Sequence, residues 1–199
     1  MEAVLEQPSI YIVASQTGTL LSRLLKRVTR ARFNHVSISM DAQMDTMYSF
    51  GRRHPYNPVW GGYIKECPLS GTFARFPETE AKILRVDVTK KQHEDIQRYL
   101  ERMYRNRKRY HYNYAGLFLG AFRVHFQRKN HYYCSQFVGD VLVRFGIVPP
   151  DQFEPIVEPQ ALLEEIPGSE VIYDGLLTGY PYLSAAPEKQ SFLQRLFAA

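Results

Sequence analysis

Polar and apolar residues alternate along residues 35–40, and this pattern constrains the fold more than any other part of the sequence. The residues are, in order, His35, Val36, Ser37, Ile38, Ser39 and Met40. Successive side chains of a β-strand point to opposite sides, so the pattern predicts a strand with one apolar and one polar face. Residues 41–45 supply a turn, and residues 46–51 read as a return strand. The resulting antiparallel hairpin brings Ser49 into range of His35.

Other segments predict strands and helices around this hairpin. Residues 9–14 and 82–88 are short β-branched runs typical of strands. Leucines recur with helical spacing in residues 20–32, and basic residues fill the opposite side of that predicted helix. Thr89 is placed to cap a further helix. Residues 52–81 contain four prolines and several glycines, which predict a long loop with short strands.

The second half of the chain predicts mainly helices. The predicted elements there are an apolar helix at 114–126, a helix from Cys134 to Gly146, a short helix at 160–165, a strand at 170–173, and a small amphipathic helix at 192–197. Together with the hairpin, these elements predict an α+β protein with a central antiparallel sheet and packed helices.

Length and composition favour one domain. The chain of 199 residues is long enough for a full hydrophobic core, and we expect a single domain over 1–199 with a core at about 9–175 and a tail at 176–199. Its two cysteines cannot form a disulfide scaffold. The start of the chain is acidic, and no apolar run reaches about 18 residues. We therefore expect a cytoplasmic protein without an export signal or a membrane span.

The formal charge of +5 is unevenly distributed. Basic residues cluster in two short stretches, at 23–32 and 105–109. Each stretch is typical of a solvated helix face or end, and each is also compatible with an anionic partner. The basic residues show no aromatic interleaving and no known reader motif, so we do not expect a nucleic-acid partner.

The strongest candidate for chemistry is Cys134, which lies where an aromatic segment leads into an amphipathic helix. A cysteine in the first turn of a helix faces unpaired backbone N–H groups and the positive end of the helix dipole, and both favour the thiolate. The thiolate is the nucleophilic form of the side chain. The sequence therefore predicts a nucleophilic cysteine at this helix start.

A cysteine nucleophile needs a base and donors for an oxyanion, and the sequence offers candidates for both. His35 is the candidate base. The backbone N–H of Cys134 is one oxyanion donor, and Tyr133 or Gln16 could supply the second. His131, three residues before the cysteine, is an alternative base. A zinc site formed by these histidines and Cys134 would match no ordinary ligand spacing, so we expect no metal and no cofactor.

The segments that carry these residues resemble a known family. His-Val-Ser-Ile at 35–38, Met-Tyr-Ser-Phe-Gly-Arg at 47–52 and Tyr-Cys-Ser-Gln-Phe-Val at 133–138 look like the permuted branch of the NlpC/P60 papain-like superfamily. Relatives in that branch include the YiiX/YaeF-like proteins and lecithin retinol acyltransferase. The resemblance covers residues 9–148. It implies a circularly permuted papain-like fold, in which the histidine strand precedes the cysteine helix.

The resemblance also implies roles for individual residues. The family's nucleophile falls on Cys134, its histidine on His35, and its third polar residue on Ser49. That third residue is usually His, Asp, Glu, Asn or Gln on the next strand. A serine can accept a hydrogen bond from an imidazole, but it cannot stabilise an imidazolium by charge. Asp41 or Asp45 could do that instead.

These residues favour a cysteine hydrolase or acyltransferase that acts on an amide or ester through a thioester. The substrate could be a small molecule, a peptide or a lipid-linked compound. Family members outside cells cut peptidoglycan stem peptides, and the missing export signal argues against that assignment. Relatives that act on lipid acyl groups suggest an anionic membrane surface as a partner for residues 20–32.

A different class of function is also compatible with the sequence. Without a charged third residue, the chain could be a non-catalytic binding module that keeps the papain-like groove. In that case the loop at 60–63, Trp-Gly-Gly-Tyr, would hold a ligand. The sequence does not indicate an oligomeric state.

Overall fold

A computed structural model describes residues 7–17, 31–54, 57–116, 127–153 and 158–183. Its eight strands form one sheet in the order β7-β6-β4-β3-β2-β1-β5-β8. Neighbouring strands run antiparallel, except that β6 and β7 are parallel. The protein is therefore of the α+β class, with a mostly antiparallel open sheet.

The two strands at one edge of the sheet, β7 and β6, have two residues each, and the other six strands have five to ten. Their bounds are β1 Ser9–Gln16, β2 His35–Ser39, β3 Met47–His54, β4 Asn57–Glu66, β5 Glu80–Asp87, β6 His111–Tyr112, β7 His131–Tyr132 and β8 Glu170–Leu176. The predicted β2–β3 hairpin is confirmed, with Ser39 opposite Met47. On its other side β2 pairs with β1, and His35 lies opposite Ser15.

Four α-helices lie wholly within the described residues. They are α1 Gly71–Arg75, α2 Lys90–Arg105, α3 Cys134–Arg144 and α4 Pro159–Glu164. Thr89 begins α2 with a capping box, in which its side chain and that of Gln92 each bind the other residue's backbone N–H. The left-handed φ of +66° at Gly146 ends the turn after α3. Both predicted helix boundaries are confirmed.

The sheet separates two hydrophobic clusters. The larger cluster contains residues from β1 to β5 and the apolar faces of α2 and α3, including Ile12, Val36, Phe50, Leu100 and Phe137. The smaller cluster lies on the other face of the sheet and includes Val13, Met47, Ile83, Leu177 and Tyr180. Since the last two are almost fully buried, the chain after residue 175 is part of the packed structure at least to position 180.

The prediction of a long loop over residues 52–81 is wrong. Ten of these residues form β4, which is paired with β3 on one side and with β6 on the other. The glycines mark close packing rather than a turn. A Cβ on Gly61 would lie 2.5 Å from the Tyr114 hydroxyl oxygen, and one on Gly62 would lie 2.5 Å from the Tyr110 carbonyl oxygen. Only residues without side chains fit here.

Three predicted helices fall wholly or mostly outside the described residues. The first is the basic helix at 20–32, of which only the last two positions are described. The second is the helix at 114–126, of which residues 114–116 are described and helical. The third is the helix at 192–197. These remain predictions from the sequence.

Candidate active site

Cys134 is the first residue of α3, as predicted, and its side chain is 4% exposed. Tyr133 precedes the helix with an extended backbone and provides no side-chain cap, and the first turn contains no acidic residue. The helix's own side chains thus leave its positive end uncompensated beside the thiol. The Cys134 sulfur lies 4.0 Å from the carbonyl oxygen of Asn34, the residue just before β2.

His35 is the residue that joins the two halves of the site. It begins β2 next to Asn34, and its side chain is 17% exposed. The Cys134 side chain is close enough to the imidazole for hydrogen bonding between them to raise the pKa of His35. Nε2 of the imidazole lies 2.9 Å from Oε2 of Glu66. Since Nε2 is engaged by the carboxylate, Nδ1 is the nitrogen left for the sulfur.

Glu66 is the third member of the site, and sequence reasoning missed it. It is the last residue of β4, and its side chain is 13% exposed. Its Oε2 accepts hydrogen bonds of 2.8 Å from the hydroxyls of Ser37 and Ser49, in addition to its contact with His35. A buried carboxylate is costly unless it is paired and hydrogen-bonded, and this one is both.

The electrostatics of the pair favour a charged histidine. Burial alone lowers the pKa of His35, but the negative charge of Glu66 and the hydrogen bonds with Cys134 and Glu66 outweigh it and raise the pKa well above its ordinary value. Burial by itself raises the pKa of Glu66. The charge of His35 and the hydrogen bonds from His35, Ser37 and Ser49 outweigh burial, so the pKa lies below its ordinary value. The raised pKa of His35 and the lowered pKa of Glu66 both mean that the imidazolium and the carboxylate stabilise each other.

The structure gives Ser49 a different position from the one expected for it. Ser49 is fully buried on β3 and binds Glu66 instead of the imidazole. The orienting contact on Nε2 comes from the carboxylate, one strand farther along the sheet. Asp41 and Asp45, the expected alternatives, lie in the turn at the other end of β2, where the Asp41 carboxylate accepts from the Asp45 backbone N–H. Ser49 is thus a positioning residue for Glu66.

The two expected oxyanion donors both precede the nucleophile in the chain, on different elements. Tyr133 immediately precedes Cys134 and is buried. Gln16 is the last residue of β1, next to Ser15, which pairs with His35. Strand alternation places Gln16 on the same sheet face as Ala14, which packs in the cluster that contains α3. Tyr133 therefore adjoins the start of α3, and Gln16 lies at the end of the strand that pairs with β2.

Tyr112 is a further residue close to the thiol. It pairs with Tyr132 across the parallel strands β6 and β7, two residues before Cys134. Burial, followed by the nearby charge of a Cys134 thiolate, raises the pKa of its hydroxyl well above the ordinary value. Its ring lies 4.5 Å from that of Tyr114 between centroids. Tyr112 therefore stays protonated and presents a neutral, amphipathic wall to the site.

His131, the alternative base, contacts a different part of the molecule. Its ring lies 5.1 Å from that of His111 between centroids, and its Nδ1 lies 2.9 Å from the Lys129 carbonyl oxygen. Within the described residues, no group of three or more His, Cys, Asp or Glu side chains is arranged to hold a metal ion. None of the helices in the described part of the chain is both long and apolar enough to cross a bilayer.

None of the protein-family models matches this sequence, and searches of curated proteins and of solved structures found no significant match.

Proposed function

We propose that this protein is a cysteine hydrolase or acyltransferase that acts on an amide or ester through a thioester. The observation that carries the proposal is the contact chain in which His35 bridges Cys134 and Glu66. A nucleophile, a base within hydrogen-bond reach and a third group that orients the base are the requirements of this chemistry. All three lie together, and the third carries a charge.

Each residue has a defined part in the proposed reaction. His35 takes the proton of the Cys134 thiol, and the Glu66 carboxylate stabilises the imidazolium. The thiolate attacks the substrate carbonyl carbon, and the backbone N–H at the start of α3 donates to the oxyanion that forms. The imidazolium then gives its proton to the leaving amine or alcohol as the carbon–heteroatom bond breaks. Water or an acceptor alcohol or amine, deprotonated by His35, releases the acyl group from sulfur.

We also propose that the fold is the permuted papain-like one. Two features support this. The histidine strand β2 precedes the cysteine helix α3 in the chain, as in the permuted branch. Glutamate is one of the residue types that this family uses as its third polar residue, and Glu66 supplies it from β4 instead of from the next strand, β3. A small molecule, a peptide or a lipid-linked compound remains the proposed acyl donor, and an anionic membrane surface remains a proposed partner.

The alternative of a non-catalytic binding module has lost its main support. That alternative depended on the lack of a charged third residue, and Glu66 supplies one. It also assigned ligand binding to a loop at 60–63, whereas these residues lie inside β4. The geometry favours catalysis.

The two cysteines of this protein allow an internal test. Cys67 is free and more exposed than Cys134, so it serves as the reference thiol. We expect iodoacetamide at neutral pH to label Cys134 faster than Cys67 despite its burial, as followed by peptide mass spectrometry. His35→Ala should slow labelling of Cys134 and leave Cys67 unchanged. Faster labelling of Cys67, or no effect of His35→Ala, would contradict the proposal.

A further inference from the structure

The excess positive charge of this protein is concentrated in one stretch of the chain. Residues 102–139 contain eight Lys and Arg side chains and no Asp or Glu. The rest of the chain contains 17 basic and 20 acidic side chains, so its formal charge is negative. The two acidic residues that flank the stretch have other partners, because Glu101 lies 2.7 Å from Nζ of Lys65 and Asp140 lies 3.6 Å from Nε of Arg144.

Strand pairing brings the two ends of this stretch together at one edge of the sheet. β6 and β7 are parallel, with His111 opposite His131, so the residues that precede the two strands enter from the same end. The backbone N–H of His111 donates to the carbonyl oxygen of Asn130 at 2.9 Å, and the two histidine rings lie 5.1 Å apart between centroids. Five exposed cations precede the strands and form what we call the basic edge: Arg107, Lys108, Arg109, Arg128 and Lys129.

The fold holds these cations together although they repel one another. Arg107–Arg109 form a 3-10 turn, and the Arg53 guanidinium donates at 2.6 Å to the carbonyl oxygens of Arg107 and Tyr110. Burial, followed by the charge of Arg107, lowers the pKa of Arg53. Burial, followed by the positive charges of the histidine opposite it, of Arg53 and of Arg128, lowers the pKa of His111. The positive groups of the basic edge and its surroundings are therefore within electrostatic range of one another.

An anionic partner would relieve this repulsion. Within the described residues, none of the five cations of the basic edge forms an ion pair. Tyr104, Tyr110 and Tyr112, the aromatic residues next to them, pack against the larger hydrophobic cluster, so their rings are not presented to stack on nucleic-acid bases. An exposed group of cations without stacking rings fits the anionic headgroups of a bilayer.

We propose that the basic edge binds the surface of a membrane that contains anionic phospholipids. This surface differs from residues 20–32, which the sequence suggests for such a contact. It is also close to the nucleophile, because Lys129 and Cys134 are five residues apart and thus separated by at most about 18 Å of extended chain. Binding through the basic edge brings the candidate active site to the headgroup layer, where lipid-linked esters and amides lie. The inference goes beyond the proposed function and does not require catalysis.

Vesicle sedimentation with the full chain tests the inference. The vesicles consist of phosphatidylcholine alone or of phosphatidylcholine with phosphatidylserine. We expect binding only to the vesicles with phosphatidylserine, and weaker binding as the salt concentration rises. The triple variant Lys108→Gln, Arg109→Gln, Lys129→Gln should lower the partition coefficient by about 100-fold, since each cation near an anionic surface contributes about fivefold. The single variant Lys129→Gln should lower it by about fivefold, which keeps the test valid if the triple variant fails to fold.

Two further triple variants remove the same number of charges elsewhere. Both should retain most of the binding. They are Lys82→Gln, Lys90→Gln, Lys91→Gln, on β5 and at the start of α2, and Arg23→Gln, Lys26→Gln, Arg27→Gln, in the other basic stretch.

The outcomes separate this inference from the proposed function. Unchanged binding in the basic-edge variants, an equal loss in all three triple variants, or no preference of the parent for phosphatidylserine would overturn the inference. Tighter binding of a DNA or RNA duplex than of vesicles at the same salt concentration, lost in the basic-edge variants, would also overturn it. Slow iodoacetamide labelling of Cys134 in the parent would contradict the proposed function and leave the vesicle result intact.

Discussion

Replacing Glu66 by glutamine tests the role of the buried carboxylate most directly. Glutamine has nearly the same shape and can still accept the hydrogen bond from Nε2 of His35, so the change removes charge and keeps the geometry. We expect the imidazolium to lose its main source of stabilisation. The fraction of Cys134 present as thiolate beside imidazolium should then fall, and alkylation should slow.

The distance between the two groups sets the magnitude. At the 2.9 Å between Nε2 of His35 and Oε2 of Glu66, two unit charges attract by about 6 kcal/mol at an effective dielectric constant of about 20. Desolvation of both groups opposes most of this, and a hydrogen bond to a charged group contributes about 1.5–3 kcal/mol net. Since about 1.4 kcal/mol corresponds to a factor of ten, the equilibrium should shift by about 10- to 150-fold.

The assay is the pH profile of Cys134 alkylation in a Cys67→Ser background. In the parent, labelling should already be fast at neutral pH. In Glu66→Gln, the alkylation rate at neutral pH should be reduced by a factor of about ten or more. The rate should recover only at alkaline pH. Glu94→Gln, the same change on the exposed face of α2, is the control. Superimposable profiles for Glu66→Gln and the parent would refute the assigned role of the carboxylate.

Four other predictions follow from the same contacts. Ser49→Ala removes one hydrogen bond from the Glu66 carboxylate and should destabilise the protein by about 1.5–3 kcal/mol in urea unfolding, with a smaller loss of labelling than in Glu66→Gln. Gly61→Ala forces a Cβ to within 2.5 Å of the Tyr114 hydroxyl oxygen, so we expect a loss of about 1–3 kcal/mol and altered labelling kinetics. Thr89→Ala breaks the capping box of α2 and should cost about 1 kcal/mol without changing the labelling rate of the folded protein. His35→Gln should destabilise the protein in a pH-dependent way. The raised pKa of His35 adds to the free energy of unfolding; this contribution is complete below about pH 6.5 and is lost as pH rises through the pKa of the folded state. The lowered pKa of Glu66 also adds to the free energy of unfolding; this contribution is present above about pH 4.3 and is lost as pH falls through the pKa of the folded state. The difference between His35→Gln and the parent should therefore be larger at about pH 5.5 than at about pH 10.

Much of the site could be predicted because its signals are local. Alternation along β2 gave the strand and the position of His35 within it. The change from an aromatic segment to an amphipathic pattern gave the start of α3 at Cys134. Each of these signals depends only on neighbours in the chain, so a single sequence is enough to find it.

Glu66 could not be found in this way, because its role depends on strand pairing. Residues 52–81 contain prolines and a Gly-Gly pair that usually indicate a loop. In this fold the glycines are required inside a strand, since Tyr110 and Tyr114 approach the backbone of β4 too closely for a side chain. If these residues formed a loop, no strand register would link Glu66 to His35. The available signal was that the predicted hairpin carries Ser37 and Ser49 on its two strands, and these hydroxyls need an acceptor when they are buried.

The contacts of the Glu66 carboxylate also require three strands to be in the correct register. Its partners come from β2 and β3, while Glu66 itself belongs to β4. A slip of either strand by one residue would turn the partner side chains to the opposite face and leave a buried charge without donors. A wrong strand register is therefore destabilising because it breaks the same Glu66 contacts that hold His35 beside Cys134. A chain that folds with the wrong register loses stability and reactivity together.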